Sequence, residues 1–253
     1  MTIYENERID RVNDYISLIQ KTDGLTFGTD ALLLAGYIES GYKTGVEFGS
    51  GSGIISMLLL SRNKCERIVA VEVQEAYANL TERNAALNSL SERLISHNAD
   101  VRDYVGESEA ELIFTNPPYM KTDSGKTNEK REKNIARHEV CGGIFDFLSA
   151  AKRNLKYGGD FYCVYRPDRM TDLLCAMREN GIEPKRITAV HANSESEPSM
   201  ILVCAKRGGK AFLKFTKPLI IYADSQNKSY TRDMKYIMEN GCFPPEFSKR
   251  NAR

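Results

Sequence analysis

Between residues 44 and 206 the hydrophobic period of this chain keeps switching, and that alternation restricts the fold more than any other feature. Short β-branched or aromatic runs, such as Val46-Glu47-Phe48, Ile68-Val69-Ala70-Val71 and Leu112-Ile113-Phe114-Thr115, alternate with stretches of helical length and spacing. Ile54 to Leu60 is apolar and long enough for two helical turns. Residues 75–90 carry Ala76, Leu80, Ala86, Leu87 and Leu90 on one face. Further helices are expected over 145–155, stopped by Gly158-Gly159, and over 169–180, stopped by Asn180-Gly181. Leu94-Ile95, 161–165, 187–190 and 200–205 complete a set of seven strands. Strand–helix alternation requires a mostly parallel sheet covered on both faces, an α/β Rossmann-like architecture. The bulky residues of 112–115 agree with burial on both sides.

The flanks are less patterned. Residues 8–20 have mixed strand character, 30–38 suggest a short helix, and the tail holds Leu219-Ile220-Ile221-Tyr222 before polar sequence. The whole chain is expected to be one domain: an N-terminal extension (1–43), a core (44–206) and a C-terminal extension (207–253). No apolar run reaches the length of a membrane span, and the first residues show no secretory signal, so the expected location is the cytoplasm. Six scattered cysteines without a Cys-x-x-Cys pair suggest buried free thiols. His97, His138 and His191 make no ligand pattern, and no metal is expected. The net charge of +1 gives no global basic excess, so any contact with nucleic acid must rest on a local patch.

Two motifs carry chemistry. Glu47-Phe48-Gly49-Ser50-Gly51-Ser52-Gly53 leaves a strand and opens a helix, and its glycines allow a tight turn and close approach to a ligand. Alone it is weak, since such turns also serve packing or bind dinucleotides. Glu72 ends the next strand, where a carboxylate can accept both ribose hydroxyls. Asp100 follows the third, where it can accept an adenine amine. Either acid could also be a solvated loop residue. A dehydrogenase is disfavoured, because residue 54 is Ile and the third glycine of Gly-x-Gly-x-x-Gly is missing.

The second motif is Asn116-Pro117-Pro118-Tyr119, at the end of the 112–115 strand. Two prolines cannot continue a ladder and hold the backbone extended. An amide then lies on one side and an aromatic ring on the other, a clamp for a planar group bearing NH2. The Asn116 side-chain oxygen and the Pro117 carbonyl would accept the amine hydrogens. Tyr119 would stack on the ring, a contact worth about 1–3 kcal/mol. The tetrapeptide could instead be a simple turn.

Together the motifs resemble the class I S-adenosylmethionine (SAM)-dependent methyltransferases, which usually begin the Gly-rich motif with Asp where this chain has Glu47. Three further segments, Leu18-Ile19-Gln20, 27–35 (Phe-Gly-Thr-Asp-Ala-Leu-Leu-Leu-Ala) and Ala136-Arg137-His138-Glu139, narrow the likeness. With them the chain is similar to the bacterial tRNA1(Val) (adenine-37-N6)-methyltransferases over about residues 8–230. That resemblance implies SAM as cofactor, S-adenosylhomocysteine as product and tRNA as substrate, with no membrane or obligate protein partner. It places Phe27, Thr29 and Asp30 beside the methionine end of the cofactor. Glu47, Gly49, Gly51, Gly53, Glu72, Asp100 and Asn116 line the rest, and 116–119 hold the target adenine. Thr29 and Asp30 are equally good helix caps.

The segment after the clamp holds Lys121, Lys126, Lys130, Arg131, Lys133 and Arg137 against Asp123, Glu129 and Glu132, a local excess of +3. It is a candidate RNA contact, or simply a solvated charged loop. Two alternatives stay open. A glutamine methyltransferase acting on a translation release factor shares the clamp but carries a longer N-terminal domain. A non-catalytic RNA-binding protein could keep the fold alone.

Overall fold

The computed structural model describes residues 3–22, 27–117, 143–224 and 229–248. A hairpin of β1 (Glu7–Arg11) and β2 (Ser17–Lys21) leads into helix α1 (Thr29–Tyr37). Then follow β3 (Tyr42–Phe48), α2 (Ile54–Ser61), β4 (Cys65–Glu72), α3 (Glu75–Leu87), β5 (Leu94–Asn98) and β6 (Ala110–Thr115). After α4 (Ile144–Asn154) come β7 (Leu155–Tyr165), α5 (Met170–Glu179), β8 (Ile182–His191) and β9 (Pro198–Arg207). The tail adds β10 (Lys214–Phe215), β11 (Leu219–Ile220), α6 (Arg232–Asn240) and α7 (Pro245–Ser248).

The large sheet runs β10-β8-β9-β7-β6-β3-β4-β5, with β11 also on β8. The seven core strands expected from sequence are all present, and two-residue β10 and β11 make nine. Strands β3 to β7 pair in parallel; β9 alone runs against its neighbours β7 and β8. The chain steps outward from β3 to β4 and β5, then returns to the other side of β3 with β6. That reversal is the topological switch point at which open α/β sheets bind ligands. Register keeps the strand ends level: Phe48 pairs with Val71 on one side and Thr115 on the other, and the Thr115 hydroxyl donates to the Phe48 carbonyl at 2.8 Å.

Leu112, Ile113 and Phe114 are fully buried, as double coverage requires. Leu112 and Phe114 join Tyr162, Val164 and Leu202 under α1 and α2. Ile113 joins Phe48, Phe161, Cys163 and Val203 under α4 and α5. Each such side chain contributes about 1.5–3 kcal/mol by leaving water. The tail is more ordered than its polar sequence suggests. Met234, Ile237, Phe243 and Phe247 pack on the α1 side, with Phe243 edge-on to Tyr37 at 5.2 Å.

Several expectations need correction. Gly158 and Gly159 do not stop α4, because β7 starts directly at Leu155. The glycines form an irregularity inside β7, where the ladder jumps from Ala110–Leu155 to Leu112–Asp160. A Cβ on Gly159 would lie 2.9–3.0 Å from the carbonyls of Lys156 and Glu111, so only glycine lets the strands close there. Neither Thr29 nor Asp30 caps α1; the N-cap is Gly28 and no side chain bonds there. The described cysteines are all free, but Cys175 is exposed and Cys242 half-buried, while Cys65, Cys163 and Cys204 are buried.

The hairpin docks on α3 through two asparagines. The Asn84 oxygen accepts from Ile19 N (2.7 Å) and its amide donates to Ile19 O (3.1 Å). Asn88 repeats this pair with Ser17, at 2.9 and 2.8 Å. Residues i and i+4 of a helix rise about 6 Å, close to the advance of i and i+2 along a strand. Two amides on α3 therefore imitate a neighbouring strand for β2. On the other strand of the hairpin, Arg83 grips Glu7 with two 2.7 Å bonds and holds that carboxyl below the usual carboxylate range.

Candidate active site

A cavity of about 530 Å3 opens beyond the carboxyl ends of β3, β4 and β6. That volume lies in the range of small-molecule sites, roughly 300–1,000 Å3. Of the residues singled out from sequence, Phe27, Asp30, Glu47, Gly49, Gly51, Glu72, Asp100, Asn116 and Pro117 line it. Thr29 and Gly53 do not. Thr29 begins α1, and Gly53 faces α3, where a Cβ would meet Thr81 Cγ2 at 2.7 Å. Gly53 is thus a packing glycine with a left-handed backbone (φ +78°) that lets α2 start. Pro118, Tyr119, Lys121, Lys126, Lys130, Arg131, Lys133 and Arg137 lie outside the described residues.

The turn after β3 is held from three sides. Gly49 N and Ser50 N both donate to Val71 O, at 2.9 and 3.2 Å. Gly51 N donates to Glu72 Oε2 (2.9 Å), and Gly51 O accepts from the Thr81 hydroxyl (2.9 Å). Asn84, the residue that docks β2, also donates to Ser52 O at 3.0 Å. Above Gly51 a Cβ would meet nothing within 4 Å, so the turn offers bare backbone to the cavity.

Each acid has a protein partner. Glu47 reaches sideways to the first turn of α2, where the Ser56 N–H (3.2 Å) and hydroxyl both donate to Oε2. Burial pushes its carboxyl up to about 8, opposed by the Ser56 bonds and assisted by the Glu72 charge. Glu72 accepts Gly51 N on one oxygen and Gln74 N on the other, at 2.9 and 3.0 Å. A carboxylate has about four lone-pair sites, so two remain for hydroxyl donors. Asp100 is more committed: Arg102 donates from its backbone N and its guanidinium to both oxygens, which holds the carboxyl below the usual range. An incoming amine must share Asp100 with Arg102.

Asn116 differs. Its Nδ2 donates to Asp30 Oδ2 at 2.9 Å, and its Oδ1 is buried with no partner among the described residues. The hydroxyl of Ser50, another residue of the cavity lining, is also buried without a partner among the described residues. Buried polar atoms almost always have partners, so these two orphans, on residues that line the cavity, are candidate points at which a polar ligand completes the bonding.

Sequence reasoning missed several contributors. Phe147 from α4 and Tyr77 from α3 supply apolar wall, and Phe147 lies where a Cβ on Gly49 would reach it at 3.6 Å. Buried Gln20 takes Phe27 N on its Oε1 at 3.1 Å, fixing the cavity's edge to the hairpin. Gln20 lay in a segment that narrowed the likeness, without a role, and the i, i+4 spacing of Asn84 and Asn88 on α3 was the signal for the docked hairpin. His97 packs edge-on to Tyr104, and His191 bonds Ser196 O. Among the described residues no group of three or more His, Cys, Asp or Glu could hold a metal, and no helix is long and apolar enough to cross a membrane.

Residues 22–178, well over half the chain, match the model of the methyltransferase small domain family. The chain belongs to that family. Among its relatives is a tRNA1(Val) (adenine(37)-N6)-methyltransferase from Porphyromonas gingivalis, 26% identical, with 77% of this chain and 80% of the relative covered. A protein of the same name from Escherichia coli O157:H7 is 28% identical, covering 80% and 82%. Among solved structures, a predicted O-methyltransferase from Agrobacterium tumefaciens superposes with a TM-score of 0.69 at 21% identity, over 88% of this chain and all of that one. At that identity the superposition speaks for the fold, and it is the class I methyltransferase fold expected from the motifs.

Proposed function

We propose that this chain transfers a methyl group from SAM to the exocyclic N6 amine of an adenine in tRNA, adenine 37 of tRNA1(Val), in the cytoplasm. The observation that carries the proposal is the state of Asn116, on the cavity lining: one end of its amide is anchored, and the other is a buried acceptor without a partner among the described residues. The names of the relatives support adenine in tRNA over other planar amines.

The cavity fits SAM in size and in donor set. Glu72 offers lone pairs for ribose hydroxyls, and the bare turn at Gly49 and Gly51 admits close approach. When bound, SAM supplies a methyl group already activated by a positive sulfur. An adenine amine lacks an available lone pair, because that pair is delocalised into the ring. Asn116 Oδ1 and the Pro117 carbonyl, as paired acceptors, favour a tetrahedral nitrogen and so free the pair for attack. The gain is electrostatic and positional. Pro118 and Tyr119 would complete the clamp, with the basic 121–137 segment as a phosphate contact. An adenine in a single-stranded loop is the easiest base to unstack into such a site.

The test is incubation with labelled SAM and total tRNA, followed by nucleoside mass analysis. N6-methyladenosine at position 37 is the expected product. Label in protein glutamine and not in adenine would overturn the substrate, and absence of SAM binding by calorimetry would favour a non-catalytic role.

A further inference from the structure

We infer that Asp30 is a positioning residue that decides which end of the Asn116 amide faces the reacting amine. The inference rests on the proposal that this site methylates an NH2 group. A side-chain amide is nearly symmetric in shape, and its two orientations differ only in which end donates. In one orientation Asn116 presents an acceptor to the amine; in the other it presents a second NH2, which repels the amine and withholds the acceptor. An ionised carboxylate can only accept. Asp30 Oδ2 takes Asn116 Nδ2 at 2.9 Å, and turning the amide over would set oxygen against oxygen. The selection is therefore made by the electrostatics of a single neighbour, in a place where Oδ1 has no other described partner to hold it.

Two features of the local structure keep Asp30 in that role. It lies in the first turn of α1, where the helix dipole favours a negative charge. Two residues earlier lies Gly28, and a Cβ there would fall 2.6 Å from Asp30 Oδ1. Gly28 has ordinary extended dihedrals (φ −112°, ψ −178°), so its backbone does not require glycine. A Cβ there would press on the outer end of the Asp30 side chain and displace its carboxylate. The pair Gly28-Asp30 thus belongs to the clamp as much as Asn116 does, although 86 residues separate Asp30 from Asn116.

The experiment compares wild type with Asp30→Asn, Asn116→Ala, both together, and the exchange Asp30→Asn with Asn116→Asp. Single-turnover methyl transfer to tRNA and SAM affinity by calorimetry are measured for each. Asp30→Asn lets the amide take either orientation, and the transfer rate should fall about ten- to hundredfold, the scale for disturbing one preorganised group. SAM affinity should stay within about threefold, as expected for a group acting on the other reactant. In the Asn116→Ala background Asp30→Asn should change the rate no further, because its effect runs through Asn116. The exchange should regain much of the loss, since the new amide at 30 can donate to the new carboxylate at 116 and leave an acceptor facing the cavity. Gly28→Ala should mimic Asp30→Asn more weakly, with its thermal melt unchanged. Independent losses in the double variant, or a fall in SAM affinity that accounts for the Asp30→Asn rate, would overturn the inference. If wild type methylates nothing, the functional proposal fails by itself. The inference is then read from the Asn116 side-chain amide protons by nitrogen-edited NMR, identified by their loss in Asn116→Ala. An unchanged signal in Asp30→Asn would sink it.

Discussion

The two walls of the cavity are built on opposite principles. On the β3–β4 side every acid is already partnered: Glu47 by Ser56, Glu72 by Gly51 and Gln74, Asp100 by Arg102. On the β6 side Asn116 is anchored at one end, and the other end is a buried acceptor with no partner among the described residues. The first wall is a cradle whose polar groups chiefly hold the protein's own backbone, so it is preformed and costs little to maintain. The second keeps a buried acceptor unsatisfied, a local cost of about 1–3 kcal/mol that a ligand amine would relieve. The contrast teaches that the cradle is suited to fixing where a ligand lies, while under the proposed function the amide of Asn116 is the group that acts on it.

That division predicts a graded set of outcomes. The largest belongs to the open wall. Asn116→Ala should lower the rate of methyl transfer about 100- to 1000-fold, with SAM affinity by calorimetry nearly unchanged; wild-type turnover would end the clamp mechanism. On the cradle wall, Asn84→Ala should act on stability. It strips Ile19 N, Ile19 O and Ser52 O of their partner and leaves a buried N–H orphaned, so urea unfolding should show a loss of about 1–3 kcal/mol. Equal loss of rate at full stability would mean that cradle and clamp are not separable. Gly53→Ala should cost about 1–2 kcal/mol for its left-handed backbone alone. Contact with Thr81 adds to this, read as a lower urea midpoint. A rise in the midpoint would show that the turn tolerates a side chain.

Glu47→Gln should have the smallest effect, and it carries a pH signature. The folded-state pKa of Glu47, about 8, lies above its ordinary value of 4.5, so the native protein binds the extra proton between those limits. Stability contributed by that proton is present at acid pH and is lost as pH rises toward 8. Gln at 47 has no such loss. Its melting temperature should match wild type near pH 4.5 and exceed it by a few degrees near pH 8. A constant difference across that range would mean that Glu47 stays ionised throughout. Below about pH 8 the carboxyl already carries its proton, so the same substitution should leave SAM affinity nearly unchanged there.

Much of this was legible from local pattern. The alternation of periods gave the parallel sheet, and the bulky run 112–114 gave its doubly covered centre. Glu47, Glu72 and Asp100 were found because strand ends are visible in sequence and a parallel sheet sends all of them to one rim. What failed did so for lack of partners. Gly158-Gly159 reads as a helix stop in one dimension, yet the closeness of Glu111 makes it an irregularity in β7. Gly53 looks like a ligand glycine until Thr81 is seen behind it. The tail reads as polar because α6 offers only the narrow stripe of Met234 and Ile237 to the core.

By itself the sequence determined the layered α/β architecture and the rim on which the candidate site lies. These follow from periodicity and from the fixed dihedrals of proline and glycine, which need no partner to be read. Only the tertiary structure decided that Asp30 faces Asn116, that Arg102 occupies Asp100 and that two asparagines of α3 take the place of a strand beside β2. Those are pairings between groups far apart in the chain. A hydrogen bond depends on distance and direction in space, and no local pattern encodes either.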